Sequence, residues 1–152
     1  MFELTKFQFH GQGMPIIPIK MLGGAVQAGF PSPALDYYED TISLDRTLIK
    51  HPDFTYLMAV AGDSMIEAGI MPGSWIVVDR SIEPVNGCIV VARLDGEFTV
   101  KYYNRMADGC FLIPANAKYQ RIQITELMDF AVWGVVIHII TTVKPINYVC
   151  FG

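Results

Sequence analysis

The stretch ARLDGEFTV, residues 92–100, constrains the fold more than any other part of the sequence. Asp-Gly tolerates positive φ at both positions, as a two-residue hairpin turn of type I′ requires. The runs on either side are rich in Val, Ile, Phe and Tyr, which is typical of strands. The sequence therefore predicts antiparallel neighbours over residues 87–94 and 97–103, joined by a turn at Asp95 and Gly96.

Other short apolar runs separated by turn residues fill the chain beyond His51. They read TYLMAVA, SWIVVD, GCIVVARL, EFTVKYY, GCFLIPA and FAVWGVVIHIITTV. Runs of this length and composition predict strands, the first beginning near Thr55, so the predicted fold class is mostly β with short antiparallel strands. Upstream, PALDYYEDTISLDRTLIK mixes charged and apolar residues and predicts a short helical turn near Asp45.

Residues 11–33 differ in composition from the rest of the chain. They contain four prolines and five glycines, which interrupt a helical period and remove backbone donors from any strand. The segment is nevertheless apolar, so we expect an extended N-terminal arm that lies on a surface. Its apolar side chains include Met14, Ile16, Ile17, Ile19, Met21, Leu22 and Phe30.

Length and charge exclude several classes of protein. A chain of 152 residues, 52% of them hydrophobic, is large enough for one domain with its own core. The net charge of −4 and the lack of any Lys or Arg cluster disfavour specific binding to DNA. The longest apolar stretch, residues 130–143, is interrupted by Gly134 and His138, and the N-terminus resembles no secretory signal. We therefore expect a cytoplasmic protein without membrane contact.

Cysteines and carboxylates give no pattern typical of a metal or cofactor site. Cys88, Cys110 and Cys150 lie far apart without a CxxC spacing, which predicts buried thiols and neither a disulfide framework nor a zinc site. The acidic residues close to the strands each adjoin a turn, and solvation there explains them. They are Asp63, Asp79, Asp95 and Glu97. No metal and no cofactor are expected.

Ser64, in the bend GDSM, and Lys101, on the second strand of the hairpin, form a candidate reactive pair. Each alone has an ordinary explanation, a turn residue in one case and a solvated strand lysine in the other. A serine hydroxyl is a poor nucleophile until a base takes its proton. A lysine can be that base if burial lowers its pKa from about 10.4. Together the two residues could supply a nucleophile and its base.

A Ser/His/Asp triad is the alternative arrangement for Ser64. The histidines available are His10 in the arm, His51 beside a proline, and His138 inside VVIHII. For His138 a core histidine bonded to the backbone is the ordinary interpretation, and no spacing supports a triad.

The run GDSMIEAGIMPGSWIVVDRSIEPVNGCIVVARLDGEFTVKYY, followed by LIPANAKY and VWGVVIH, resembles the LexA/UmuD family of self-cleaving serine-lysine peptidases. The GDSM bend, the PGS turn, the DGEFTVK strand and the terminal GVVIH occur in the family's order and spacing, and the resemblance extends over residues 29–144. It implies a compact LexA/UmuD-type peptidase fold. It also implies that Ser64 is the nucleophile, that Lys101 is its general base, and that backbone N–H groups around Asp63 and Ser64 bind the oxyanion.

AGFPSP, residues 28–33, is similar to the segment that the family cuts in itself. This similarity implies a scissile bond between Ala28 and Gly29, where small residues leave room for the approach of serine and lysine. Without the resemblance, a flexible hinge would explain these two residues. The implied domains are an arm over 1–28 that cleavage removes, a linker over 29–50, and a peptidase core over 51–152.

UmuD-like members of the family match best, because only 28 residues precede the implied cut and Pro15 and Pro18 interrupt them, leaving no helix-turn-helix domain. The resemblance implies a homodimer of the SOS response, induced by the RecA-DNA filament to cleave its own or its partner's arm. The shortened form would join a UmuC-type subunit in an error-prone translesion polymerase. A non-catalytic interaction module and a soluble signal-peptidase-like protease are the alternatives.

Overall fold

The structure, a computed structural model, describes residues 18–22, 28–29 and 39–143. Contacts divide the chain into two compact units, and the chain passes from one to the other between Pro52 and Asp53.

The smaller unit contains a two-stranded antiparallel sheet and a short helix. Strand β1, Pro18–Leu22, pairs with strand β2, Glu39–Ser43, and helix α1, Leu44–Leu48, follows directly. The hydroxyl of Ser43 caps the helix by accepting a hydrogen bond from the N–H of Arg46, one of the donors that a helix start leaves unpaired. Helix α1 confirms the helical turn predicted near Asp45.

Neither β1 nor β2 was predicted from the sequence. Pro18 stands at the first position of β1, opposite Ser43, where a strand tolerates a missing backbone donor. Side chains of both faces of β1, Ile19 and Lys20 among them, are exposed. The strand therefore has no buried face, and a search for alternating apolar residues does not detect it.

The larger unit is built on a seven-stranded antiparallel sheet with the strand order β3-β4-β9-β5-β6-β7-β8. The strands are β3 Thr55–Ala59, β4 Trp75–Asp79, β5 Ile89–Leu94, β6 Glu97–Met106, β7 Gly109–Ile113, β8 Ile122–Ile124 and β9 Phe130–Ile140. Single turns of 3-10 helix occur at Pro52–Phe54 and Ile66–Ala68. This architecture confirms the predicted mostly β fold of short antiparallel strands.

The predicted hairpin is present as β5 and β6. Asp95 and Gly96 adopt φ angles of 49° and 85°, and Leu94 pairs with Glu97 across the turn. Strand β6 continues three residues beyond the predicted end at Tyr103, because its second half pairs with β7. The Asp-Gly signal thus fixed the turn and the register, which places Lys101 opposite Val90.

Strand β9 lies between β4 and β5, and its pairing is irregular with both. The register shifts at Val77/Val78 on one side and at Val91/Ala92 on the other. A Cβ added to Gly134 would lie 2.6 Å from Cγ1 of Val78, so only glycine permits this close approach of β9 to β4. The strand that joins the two halves of the sheet therefore depends on a residue without a side chain.

Two apolar clusters form the core of the larger unit. One contains Met58, Val60, Met65, Ile70, Ile76, Val78, Val91, Val100 and Ala115. The other contains Val90, Ala92, Tyr103, Leu112 and Val135. Phe98 and Tyr102 pack against the first cluster, which contains Val100, so alternate residues of β6 share one face.

The cysteines differ in part from expectation. Cys88 and Cys110 are free thiols, but they are half-buried against the second cluster and not fully buried as predicted. Cys150 lies outside the described residues. No helix within the described ranges is both long and apolar enough to cross a lipid bilayer.

Candidate active site

Ser64 lies in a bend that follows β3. Gly62 begins the bend with a φ of 86°, a left-handed conformation that favours glycine. Met65, next to the serine, is 2% exposed and packs in the first apolar cluster, while Ser64 itself is half-buried. The buried methionine therefore fixes the bend and leaves the neighbouring hydroxyl accessible.

Lys101 lies on β6 and is 8% exposed. Its Nζ lies 2.9 Å from Oγ of Ser64, 2.7 Å from Oγ1 of Thr99 and 3.0 Å from the carbonyl oxygen of Val100. All three partners are neutral, and burial lowers the pKa of the Lys101 ammonium below its ordinary value. A lysine in this environment loses its proton more easily than one in water, and it lies within proton-transfer distance of a hydroxyl.

A cleft of about 100 Å³ opens beside Ser64. The residues that line it are mostly small or β-branched, namely Val60, Ala61, Gly62, Ser64, Met65, Thr99 and Val100. The cleft therefore has room for a small side chain next to the hydroxyl.

The loop after β7 holds the serine bend by backbone contacts. The N–H of Ala115 donates to the carbonyl of Ser64 at 2.9 Å, and the N–H of Glu67 donates to the carbonyl of Ala115 at 2.9 Å. The side-chain amide of Asn116 donates to the carbonyl of Asp63 at 2.8 Å. Through these bonds, the LIPANAKY stretch holds the main chain on both sides of Ser64.

Tyr119 adds a side-chain contact to the same bend. Its hydroxyl donates to the carboxylate of Asp63, and this hydrogen bond together with the negative charge of Asp63 raises the pKa of the phenol. Neither Tyr119 nor Asn116 was predicted as a site residue. The signal that could have found them is the place of LIPANAKY in the family resemblance, because a reactive pair needs neighbouring residues that hold it in position.

The other predicted site residues lie elsewhere. Ala28 and Gly29 form an exposed bend in the smaller unit. Of the histidines, His51 is exposed in the smaller unit and His138 lies on β9 opposite Val77, while His10 is outside the described residues. The structure thus brings together Ser64, Lys101 and the backbone of Asp63.

One carboxylate differs from its predicted solvated state. Asp79 is 1% exposed, and its side chain accepts hydrogen bonds from the N–H and the hydroxyl of Ser81. Burial with bonded partners makes it a structural residue at the end of β4. Within residues 18–22, 28–29 and 39–143, no three His, Cys, Asp or Glu side chains are grouped so that they could hold a metal ion.

The part of the chain that matches known proteins includes Ser64 and Lys101. The Peptidase S24-like family model matches residues 20–137. SamA of Salmonella typhimurium is 41% identical over 111 residues, which cover 73% of this chain and 79% of SamA. LexA repressor 2 of Pseudomonas syringae pv. tomato is 46% identical over 114 residues, covering 74% of this chain and 55% of the repressor. ImpA of Escherichia coli is 49% identical over 75 residues, covering 49% of this chain and 52% of ImpA.

The matches therefore span most of SamA but only about half the length of LexA repressor 2 and of ImpA. They confirm the resemblance stated from the GDSM, PGS, DGEFTVK and GVVIH motifs. Since the family model extends over most of the chain, this protein belongs to the Peptidase S24-like family, in its LexA/UmuD group.

Proposed function

We propose that the protein is a self-cleaving serine peptidase in which Ser64 is the nucleophile and Lys101 the general base. The observation that supports this most directly is the 2.9 Å separation of Lys101 Nζ and Ser64 Oγ at a lysine that is 8% exposed. Burial among neutral partners lowers the pKa of this amine, and a lowered pKa favours the neutral form that a general base needs. A surface lysine with its ordinary pKa remains protonated at neutral pH.

In the first half of the reaction, neutral Lys101 takes the hydroxyl proton of Ser64 as Oγ attacks the scissile carbonyl carbon. The carbonyl π-electrons move to oxygen, and backbone N–H groups around Asp63 and Ser64 stabilise the oxyanion. When the intermediate collapses, the C–N bond breaks and Lys101 gives its proton to the departing amine. An ester between Ser64 and the new C-terminus remains.

In the second half, Lys101 takes a proton from a water molecule that attacks this ester. The ester C–O bond then breaks, and the proton returns to Oγ of Ser64, which restores the starting state. Thr99 and the carbonyl of Val100 keep Nζ in place throughout, since both accept hydrogen bonds from it.

The substrate of this reaction is the bond between Ala28 and Gly29. Two observations support a small residue in an extended segment. The cleft beside Ser64 is lined by Ala61 and Gly62, which suits the methyl group of Ala28. Among the described strands, the first half of β6 pairs with β5 alone, because β7 pairs only with Tyr102–Met106. The edge of this first half of β6 that faces away from β5 can therefore accept an extended peptide by backbone pairing.

The biological role that we propose is that of a UmuD-like protein of the SOS response in the cytoplasm. A homodimer would cut the arm, in cis or in trans, when it meets the RecA-DNA filament, and the shortened dimer would serve a UmuC-type polymerase subunit. The proposal rests on the resemblance of the motifs and on the relatives named SamA, ImpA and LexA repressor.

The test is incubation of the purified full chain at raised pH, followed by mass spectrometry of the products. A fragment beginning at Gly29 that is absent for Ser64→Ala supports the proposal. An intact chain at every pH, with Ser64 unreactive toward a fluorophosphonate, would contradict it and favour a non-catalytic interaction module.

A further inference from the structure

Asn116 is a buried polar residue outside the Ser64–Lys101 pair, with an exposed fraction of 5%. Both ends of its side-chain amide are bonded. The nitrogen donates to the carbonyl of Asp63 at 2.8 Å, and the oxygen accepts from the N–H of Lys118 at 3.0 Å. The hydrogen bond from Lys118 identifies the oxygen end of the amide, so the nitrogen end faces Asp63. In the reverse orientation, the amide oxygen would face the carbonyl oxygen of Asp63, and two acceptors would lie together without a donor.

The carbonyl of Asp63 and the N–H of Ser64 belong to one peptide group. This group is planar and trans, so its C=O and N–H point in opposite directions. A hydrogen bond that holds the carbonyl oxygen toward Asn116 therefore holds the N–H of Ser64 away from it. Within the described part of the chain, no acceptor takes a hydrogen bond from this N–H. Toward the described residues, this N–H is therefore an unused donor at the nucleophile.

The neighbouring peptide group is held in the same way. The N–H of Ala115 donates to the carbonyl of Ser64, so the two consecutive peptide planes on either side of the serine Cα are both fixed from one loop. Since the loop follows directly on β7, Gly109–Ile113, its position is set by the sheet. Accepting a hydrogen bond at C=O also polarises the N–H of the same peptide and makes it a better donor.

We propose that Asn116 is a positioning residue of the cleavage reaction. Its amide sets the plane of the Asp63–Ser64 peptide so that the N–H of Ser64 points at the oxygen that becomes negative when the scissile carbonyl is attacked. The inference rests on the proposed function. Asn116 touches neither the substrate nor Lys101 in this role, and it acts through the peptide that it holds.

The sharpest variant is Asn116→Asp, which keeps the size of the side chain and an acceptor for Lys118 but replaces the donor that faces Asp63. Asn116→Ala removes both bonds. Asn86→Ala is the matched control. The side-chain amide of Asn86 also bonds to the backbone at both ends, donating to the carbonyl of Arg105 at 2.8 Å and accepting from the N–H of Arg105 at 2.7 Å. Asn86 holds β6 at Arg105 and makes no bond to the serine bend.

The measurement is the first-order rate of self-cleavage of the full chain across pH. For both Asn116 variants we expect the alkaline plateau to fall about 10- to 100-fold, somewhat less than for outright removal of an oxyanion donor. In Asn116→Ala, which adds no charge near Lys101, the midpoint of the profile should stay at the wild-type pH. Asn86→Ala should cleave at the wild-type rate.

A second measurement follows the peptide directly. The amide proton and nitrogen shifts of Ser64 should move in Asn116→Asp and stay unchanged in Asn86→Ala. If the wild-type chain cleaves and Asn116→Asp cleaves equally fast, the inference is overturned. A shifted midpoint with an unchanged plateau in Asn116→Ala would overturn it as well. An equal loss of rate in Asn86→Ala, or loss of cooperative unfolding in both Asn116 variants, would assign Asn116 a purely structural role. A wild-type chain that never cleaves would instead refute the proposed function.

Discussion

The two units of the molecule differ in how far their side chains are buried. In the larger unit, seven strands enclose two apolar clusters, and even the lysine of the candidate site is buried. In the smaller unit, none of the described side chains is buried, and its strands β1 and β2 pair only with each other. A two-stranded sheet without a buried face has little local stability. Such a segment can open at little cost, whereas the groups that perform chemistry need a rigid support.

This contrast suits the proposed role of the protein as both catalyst and substrate. A peptidase must hold its nucleophile and base within fractions of an ångström, whereas the exposed bend at Ala28 and Gly29 has to become extended before it can be cut. Catalysis and susceptibility to cleavage should therefore reside in separate units.

The largest effect should come from the candidate pair in the larger unit. Ser64→Ala and Lys101→Ala should each lower the rate of self-cleavage by about 10⁴-fold or more, since members of such a unit act together. Lys101→Arg should fail as well, because a guanidinium stays protonated and cannot accept a proton. Gel electrophoresis over days at alkaline pH would measure this, and correctly placed cleavage by Ser64→Ala would break the assignment.

The next largest effect should come from Ala28 in the smaller unit, where a large side chain should slow cleavage without changing the stability of the fold. Ala28→Trp should reduce cleavage at least about 100-fold, because an indole does not fit a cleft of about 100 Å³. Its melting temperature should match that of wild type, since Ala28 is exposed. Ile19→Trp, at another exposed position of the unit, is the control and should cleave normally. Equal cleavage of the two variants would mean that the cut lies elsewhere.

The pH dependence of the rate should reflect the buried lysine. Burial lowers the pKa of Lys101, so the neutral form that can act as a base is populated above that pKa and depleted below it. Cleavage should rise about 10-fold per pH unit below the midpoint and level off above it. A rate constant that is independent of pH from neutral to alkaline solution, with chemistry limiting, would exclude lysine as the titrating group.

The same shift should appear in stability. Between the lowered folded-state pKa and the ordinary pKa, the unfolded chain binds a proton at Lys101 that the folded chain does not, so the free energy of unfolding rises with pH across that window. Lys101→Met removes the titration and keeps most of the packing. We expect this variant to be the more stable one at neutral pH, with the difference shrinking as pH rises. Thermal unfolding at several pH values measures it, and a constant difference would contradict a lowered pKa.

The smallest effect should come from Tyr119, which bonds to the side chain of Asp63 and not to its backbone. Tyr119→Phe should slow cleavage only about 2- to 5-fold, because an exposed hydrogen bond contributes about 1 kcal/mol. Comparison with Asn116→Asp separates the two anchors of the bend. If Tyr119→Phe had the larger effect, the carboxylate of Asp63 and not its carbonyl would be the part that matters.

The sequence predicted those parts of the molecule that local rules determine. Asp95 and Gly96 defined the β5–β6 hairpin, and the strand predicted after them contains Lys101. Strands β1 and β2 escaped prediction, because periodicity reports burial and none of their described side chains is fully buried. The contact of Asn116 with Asp63 joins residues 53 positions apart, and no local pattern encodes it.

The position of β9 has a consequence for the newly made chain. Ser64 lies between β3 and β4 and Lys101 lies on β6, and the β3–β4 and β5–β6 pairs are not adjacent in the sheet until residues 130–140 insert between β4 and β5. During translation, the serine and the lysine therefore emerge on separate hairpins well before the strand that joins them. Under the proposed function, a chain still on the ribosome would carry Ala28 and Gly29 without a completed catalyst until β9 has been made.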